Sequence, residues 1–187
     1  MSASLWYLAR GTGVVTLLLF TLTLVLGVTA RSRRPFLGLR RFGVASVHRG
    51  VSLFALVLLG LHVVTLLADP YAQLHLVNIV LPFTSSYRPL WVGLGALSLD
   101  AMLALVITSL LRERIGHAAW RTVHWVAYAA WPAAFLHSLG SGTDSATLWM
   151  RVVAATCAVT VIAAVAWRYT FTPAETTTGR PVLEPAR

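Results

Sequence analysis

Four histidines carry the chemistry this sequence can support. His48 and His62 form a His-x13-His spacing in the apolar stretch 44–68, VASVHRGVSLFALVLLGLHVVTLLA. His124 and His137 form a His-x12-His spacing in a second stretch, 119–139, AWRTVHWVAYAAWPAAFLHSL. An imidazole in hydrocarbon is costly and by default marks function. A helix rises about 1.5 Å per residue, so the two steps are about 21 and 19.5 Å. They match in depth to within about a turn. Two neutral imidazoles can hold a haem iron from opposite sides. The spacing therefore permits two stacked sites, His48 with His124 and His62 with His137. Each ligand should also donate its other ring N–H. The carbonyls one turn earlier, of Val44, Leu58, Trp120 and Ala133, are the expected acceptors.

Other readings stay open on spacing alone. Intramembrane histidines also serve as hydrogen-bonding contacts between helices. A single zinc or iron site would need its ligands gathered round one ion, whereas these spread over about 20 Å. The second pair also raises a difficulty. At about 100° per residue, the longer step returns to within about 40° of one face, but the shorter ends about 220° away. Pro132 lies between His124 and His137 and removes a backbone hydrogen bond, and a kink or a change of winding in this span is the expected repair.

These stretches must be carried by membrane helices. Of 187 residues, 57% are hydrophobic and only 11% charged, with mean hydropathy +0.74. A soluble globule carries about 25% charged residues. The net charge of +9 comes from 15 Arg and no Lys. These Arg lie mostly between apolar spans, as orientation signals do, which argues against nucleic-acid binding. The lone Cys157 excludes an intrachain disulfide and a CxxCH site for covalent haem.

The expected fold is an all-α integral membrane protein, a haem-binding bundle of five transmembrane helices. The spans read as 5–30, 44–68, 89–111, 119–139 and 147–170, making one domain over 1–170. The first could be a signal peptide cut near Ala30. Leu5 to Leu8 extend it to span length, however, and it is read as a retained helix. Residues 71–83 are too short to cross and are expected as an interfacial helix. Pro89 suits a first helical turn. The tail 171–187 is polar and Pro-rich, expected to be disordered and cytoplasmic. The loop 31–43 holds five Arg and 112–121 three, against one in 69–88 and none in 140–146. The positive-inside bias then places the N-terminus outside and the C-terminus in the cytoplasm of a multi-pass protein of the cell inner (plasma) membrane. His48 and His124 become the inner pair, His62 and His137 the outer.

At these residues the chain resembles the ferric reductase-like transmembrane domain superfamily. That group includes ferric reductases, NADPH oxidases and the haem subunit of the bacterial periplasmic methionine sulfoxide reductase system. Its oxidases and reductases place His-x13-His on one helix and His-x12-His on another, as here, with two b-type haems between them. Arg49, after the first His, also fits. The wording GHAAWRTVHWVAYAAWPAAFLHSLGSGTD resembles short bacterial stand-alone members. The resemblance implies electron transfer from a cytoplasmic donor to an outer acceptor, as in a ferric reductase. It departs in two ways: those oxidases have six spans, and they carry a long flavin and nicotinamide domain. Here only the tail 171–187 follows the last span, and no FAD or NAD(P) site is expected. The donor is then a separate flavoprotein reductase or a membrane quinol, and the acceptor side can involve an extracytoplasmic partner protein. A quinone-linked haem subunit of a larger oxidoreductase is the alternative, and a haem-free membrane scaffold or transport component is the alternative of another class.

Other residues have secondary readings. Arg49 suits a propionate of the inner haem, as Arg forks match carboxylates. Arg88 and Arg151 suit the outer haem or lipid phosphate. Asp100, mid-span, suits a proton relay, an Arg partner or a protonated hydrogen bond. Trp131 suits the space between haems, or plain packing. His75 and His117 fall outside the spacing and are excluded as ligands, His75 remaining a candidate for contact with an outer substrate. No residue is expected to be catalytic in its own right.

Overall fold

The first helix, α1 (Ala3–Thr29), is the one on which the others assemble. Its sequence explains why. It offers neighbours glycines and short threonines rather than bulky polar groups, and small residues let membrane helices approach closely. Thr12, Thr21 and Thr29 are buried, and their hydroxyls donate to the carbonyls of Leu8, Leu17 and Val25 at 2.7, 2.9 and 2.9 Å. Returning the hydroxyls to their own helix satisfies them without water.

The computed structural model describes residues 3–30, 41–70 and 72–171. The expectations for the Arg-rich segment 31–40 and for the tail beyond 171 lie outside the described residues. After α1 come α2 (Arg41–Ala68), α3 (Leu76–Val80), α4 (Pro89–Leu110), α5 (Arg112–Ile115), α6 (His117–His124), α7 (Ala127–Ser141) and α8 (Leu148–Phe171). No strand occurs among the described residues. The main packing of α2 is on α1. α7 packs on α4 and on α1, and α8 packs on α1. Thus α2 and α7 are held by a common neighbour, with room left between them.

Four helices, α1, α2, α4 and α8, are long and apolar enough to cross a membrane. Large apolar side chains such as Phe54 and Val57 on α2 and Val159 and Ile162 on α8 are exposed, as a lipid-facing surface requires. The protein is multi-pass.

The expected fourth span, 119–139, is not one continuous helix. It divides into α6 and α7 at Trp125–Val126, so among the described residues four helices are long and apolar enough singly, and the expected fourth span is built from two shorter pieces. The cause is local winding. Trp125, Val126, Tyr128 and Ala129 donate to the carbonyls three residues back, Thr122, Val123, Trp125 and Val126, at 3.2, 2.9, 3.0 and 2.9 Å. That is the 3₁₀ pattern. Ala130 then donates to Val126 at 2.9 Å and α winding resumes. From the far end of the chain, Arg168 of α8 braces the joint. Its guanidinium donates to the Tyr128 hydroxyl at 2.7 Å and lies 4.9 Å from the Trp125 ring centre.

The interfacial helix is also shorter than 71–83 suggested. Only Leu76–Val80 is helical, because Gln73 and Phe83 take positive φ (49° and 67°) on either side. Asn78 ties this turn together, accepting from the His75 backbone N–H at 2.9 Å and donating to Thr84 at 3.1 Å. Pro89 does open α4, preceded by Arg88 in the left-handed region.

α4 and α7 are joined deep in the bundle by Ser98, whose buried hydroxyl donates to the Ala130 carbonyl at 3.0 Å. Ser98→Ala is expected to lower stability in detergent by about 0.6 kcal/mol, and by no more than about 1.7 kcal/mol. Thermal unfolding measures this. A change of that size should leave the helical content intact.

Candidate functional site

Each ligand candidate is positioned by its helix and by a neighbouring helix. On α2, the step from His48 to His62 brings both to nearly one face. On α6 and α7, the joint repairs the shorter step from His124 to His137. About five residues of that step lie in 3₁₀ winding, each turning about 20° further than an α residue and rising about 0.5 Å more. The surplus of about 100° carries the step from about 220° to about 320°, the same phase as the α2 step. The rise becomes about 22 Å, against about 21 Å on α2. A shorter sequence spacing, stretched by 3₁₀ turns, thus matches a longer one in straight helix. Of the two expected repairs this is the change of winding, and it lies upstream of Pro132. Pro132 adds to it by leaving the Tyr128 carbonyl without its usual donor four residues on.

The result is two facing pairs. The rings of His48 and His124 have centroids 6.5 Å apart and planes inclined by 63°. Those of His62 and His137 are also 6.5 Å apart, inclined by 81°. Metal–imidazole bonds are about 2 Å long, and the ring centre lies about 1.2 Å beyond the nitrogen. Two imidazoles on opposite sides of one metal ion therefore have centroids about 6.4 Å apart. Both pairs fit that separation. Among the described residues no three His, Cys, Asp or Glu side chains gather in one place. These four histidines meet two by two, an arrangement that can supply two opposed ligands to one metal ion but not a four-ligand tetrahedral set.

The Nδ1 atoms settle which ring nitrogen is available. His48 Nδ1 lies 3.0 Å from the Thr23 carbonyl, His62 Nδ1 2.8 Å from that of Ala9, and His137 Nδ1 2.8 Å from that of Trp91. A carbonyl only accepts, so each Nδ1 donates and Nε2 keeps its lone pair for a metal. The acceptors correct the expected ones: they belong to α1 and α4, not to the ligands' own helices one turn earlier. In an α-helix those nearer carbonyls point along the ligand's own helix axis. His124 is flanked by Trp120, ring centroids 4.9 Å apart.

A cavity of about 400 Å³ opens at the His62–His137 level, lined by Gly13, Leu59, Val63 and Gly95 among others. This is within the usual range for cofactor sites, about 300–1,000 Å³. Its lining includes an ion pair between Arg10 and Asp144, with Arg10 also 4.1 Å from the Trp6 ring centre. The sequence reading missed this pair. Arg10 looked like the lone charge ahead of an apolar run and Asp144 like part of a turn, and they lie 134 residues apart in sequence.

The remaining candidates fall in various places. Arg49 is exposed on α2, beside Phe42, Ala45 and Ser46. Arg88 donates to the Gly140 carbonyl and so ties the start of α4 to the end of α7. Arg151 is exposed on α8, and Asp100 is half-buried in mid-α4. Trp131 donates to Thr21 of α1 at 3.0 Å and stacks on Phe135. His75 and His117 are exposed, and the His117 ring lies 5.0 Å from that of Trp120.

The family described as ferric reductase like transmembrane component matches the chain over residues 12–135. The chain belongs to this family. The matched stretch takes in His48, His62 and His124 and stops just before His137. No curated protein and no solved structure matches the chain. Family membership, with the apolar helices, points to a component of membrane electron transfer.

Proposed function

We propose that the chain is a transmembrane di-haem b cytochrome. The observation that supports this reading best is the pair of imidazole couples, each 6.5 Å between centroids, at two depths of one bundle. His48 and His124 would hold one haem iron, and His62 and His137 the other. Bound there, b-type haem would supply one-electron chemistry, passing electrons from a cytoplasmic flavoprotein or quinol at the His48 end to an acceptor at the His62 end. The residues themselves hold and orient. Each of the three carbonyl contacts fixes a tautomer and makes the imidazole a stronger donor. Arg10 in the cavity lining and Arg49 on α2 have the charge and fork geometry that suit propionates.

In this reading α6 and α7 together make a broken fifth crossing, and the Arg-rich loops put the His48 end in the cytoplasm. With two protein ligands on each iron, an acceptor meets the cofactor's edge. Ferric chelates and redox partner proteins can react this way. A reduced-minus-oxidised spectrum of haem-replete protein tests the reading. The expected result is b-type absorbance at about two haems per chain, while no absorbance would leave a haem-free membrane component.

A further inference from the structure

Three glycines stand in one relation to three of the paired histidines. The His62 ring bonds the Ala9 carbonyl, and Gly13 lies four residues on. The His48 ring bonds the Thr23 carbonyl, and Gly27 lies four residues on. The His137 ring bonds the Trp91 carbonyl, and Gly95 lies four residues on. A Cβ added at Gly95 would sit 2.6 Å from His137 Nδ1, and one at Gly13 2.9 Å from His62 Cε1. At Gly27 it would sit 3.4 Å from His48 Cε1.

The physical reason is the same each time. A helical carbonyl already accepts from the N–H four residues later. Its second lone pair is open to a neighbouring donor. That donor must come in over the residue at the end of the turn, and any side chain there occupies the approach. Glycine leaves it clear. The requirement is about access, since all three glycines have ordinary helical backbones. α1 carries two of these devices, and the interval from Gly13 to Gly27 equals that from His48 to His62 on α2. The two helices run in opposite directions, so Gly13 meets His62 and Gly27 meets His48.

We propose that Gly13, Gly27 and Gly95 are positioning residues that seat the axial imidazoles on backbone carbonyls and thereby set ligand strength. This rests on the di-haem reading. A methyl at each should push its ring off the carbonyl, weaken the Nδ1 hydrogen bond and make the imidazole a poorer donor. A poorer donor favours ferrous iron, so the midpoint potential of that one haem should rise. The graded contacts predict graded effects, Gly95→Ala largest and Gly27→Ala smallest.

The test is haem content and redox titration of the full chain in detergent, with size exclusion to check that each variant is monodisperse. His62→Ala identifies which midpoint belongs to which pair. Gly27→Ala, the mildest change, should keep both haems and raise only the midpoint of the His48–His124 haem. Gly13→Ala should raise the other midpoint alone. Gly95→Ala should raise that same midpoint further or lose that haem, halving the content. Gly50→Ala is the control, since a Cβ there meets nothing within 4 Å and the residue is outside the site. If the native chain binds two haems and the three variants leave both midpoints and the content unchanged, this inference fails alone. It fails alone too if they move both midpoints equally. A native chain without b-type absorbance removes the di-haem reading and this inference with it.

Discussion

Replacing either His62 or His137 by alanine should remove one and the same haem, taking the content from about two per chain to about one. The expectation comes from geometry. The two rings face each other at 6.5 Å, one from α2 and one from α7, and either one alone would leave the iron with a single protein ligand. The remaining haem should keep the native spectrum and midpoint of the His48–His124 site, about 21 Å away along α2. The double variant should lose no more than each single one, because residues acting as a unit are not additive. Haem extraction assays and low-temperature difference spectra read both quantities. Removal of different haems by the two substitutions would break the pairing.

A second large effect is expected from changing length instead of chemistry. One alanine inserted in α2 between Phe54 and Ala55 turns His62 by about 100° relative to His48 and lifts it by about 1.5 Å. α1 holds both histidines through fixed carbonyls, so one of them must leave its seat. Haem content should fall from about two to at most one. The same insertion between Trp125 and Val126 should be tolerated. There it makes the His124–His137 step equal to the His48–His62 step, which straight α winding places correctly once the 3₁₀ turns relax. Haem content is again the measurement. Loss of a haem from the second insertion with retention in the first would show that the joint is not a length adaptor.

Much of this was legible in the residue pattern. Apolar stretches with their loop charges mark α1, α2, α4 and α8 to within a few residues, because crossing hydrocarbon imposes a length and a composition. The four histidines stand out because polar residues in such stretches are few. Their partners did not stand out. Gly13, Gly27 and Gly95 read as ordinary small residues until the helix opposite each is known. The carbonyls of Ala9, Thr23 and Trp91 have no side-chain signature at all. Arg10 and Asp144 come together only through the tertiary fold. The joint at Trp125–Val126 was half legible. The short His124–His137 step and Pro132 signalled that this span must kink or change its winding, but not at which turn. No Gly or Pro sits at the joint, so only its hydrogen bonds reveal it.

The carbonyl seats have one more consequence. Many redox centres lean on carboxylates, and their electron affinity then moves with proton uptake. Here three of the four imidazoles lean on peptide oxygens, which carry no proton across the biological range. With haem bound as proposed, an electron entering such a pair would draw no compensating proton from these three supports. The three peptide seats would therefore add no pH dependence of their own to the potential of a haem held there.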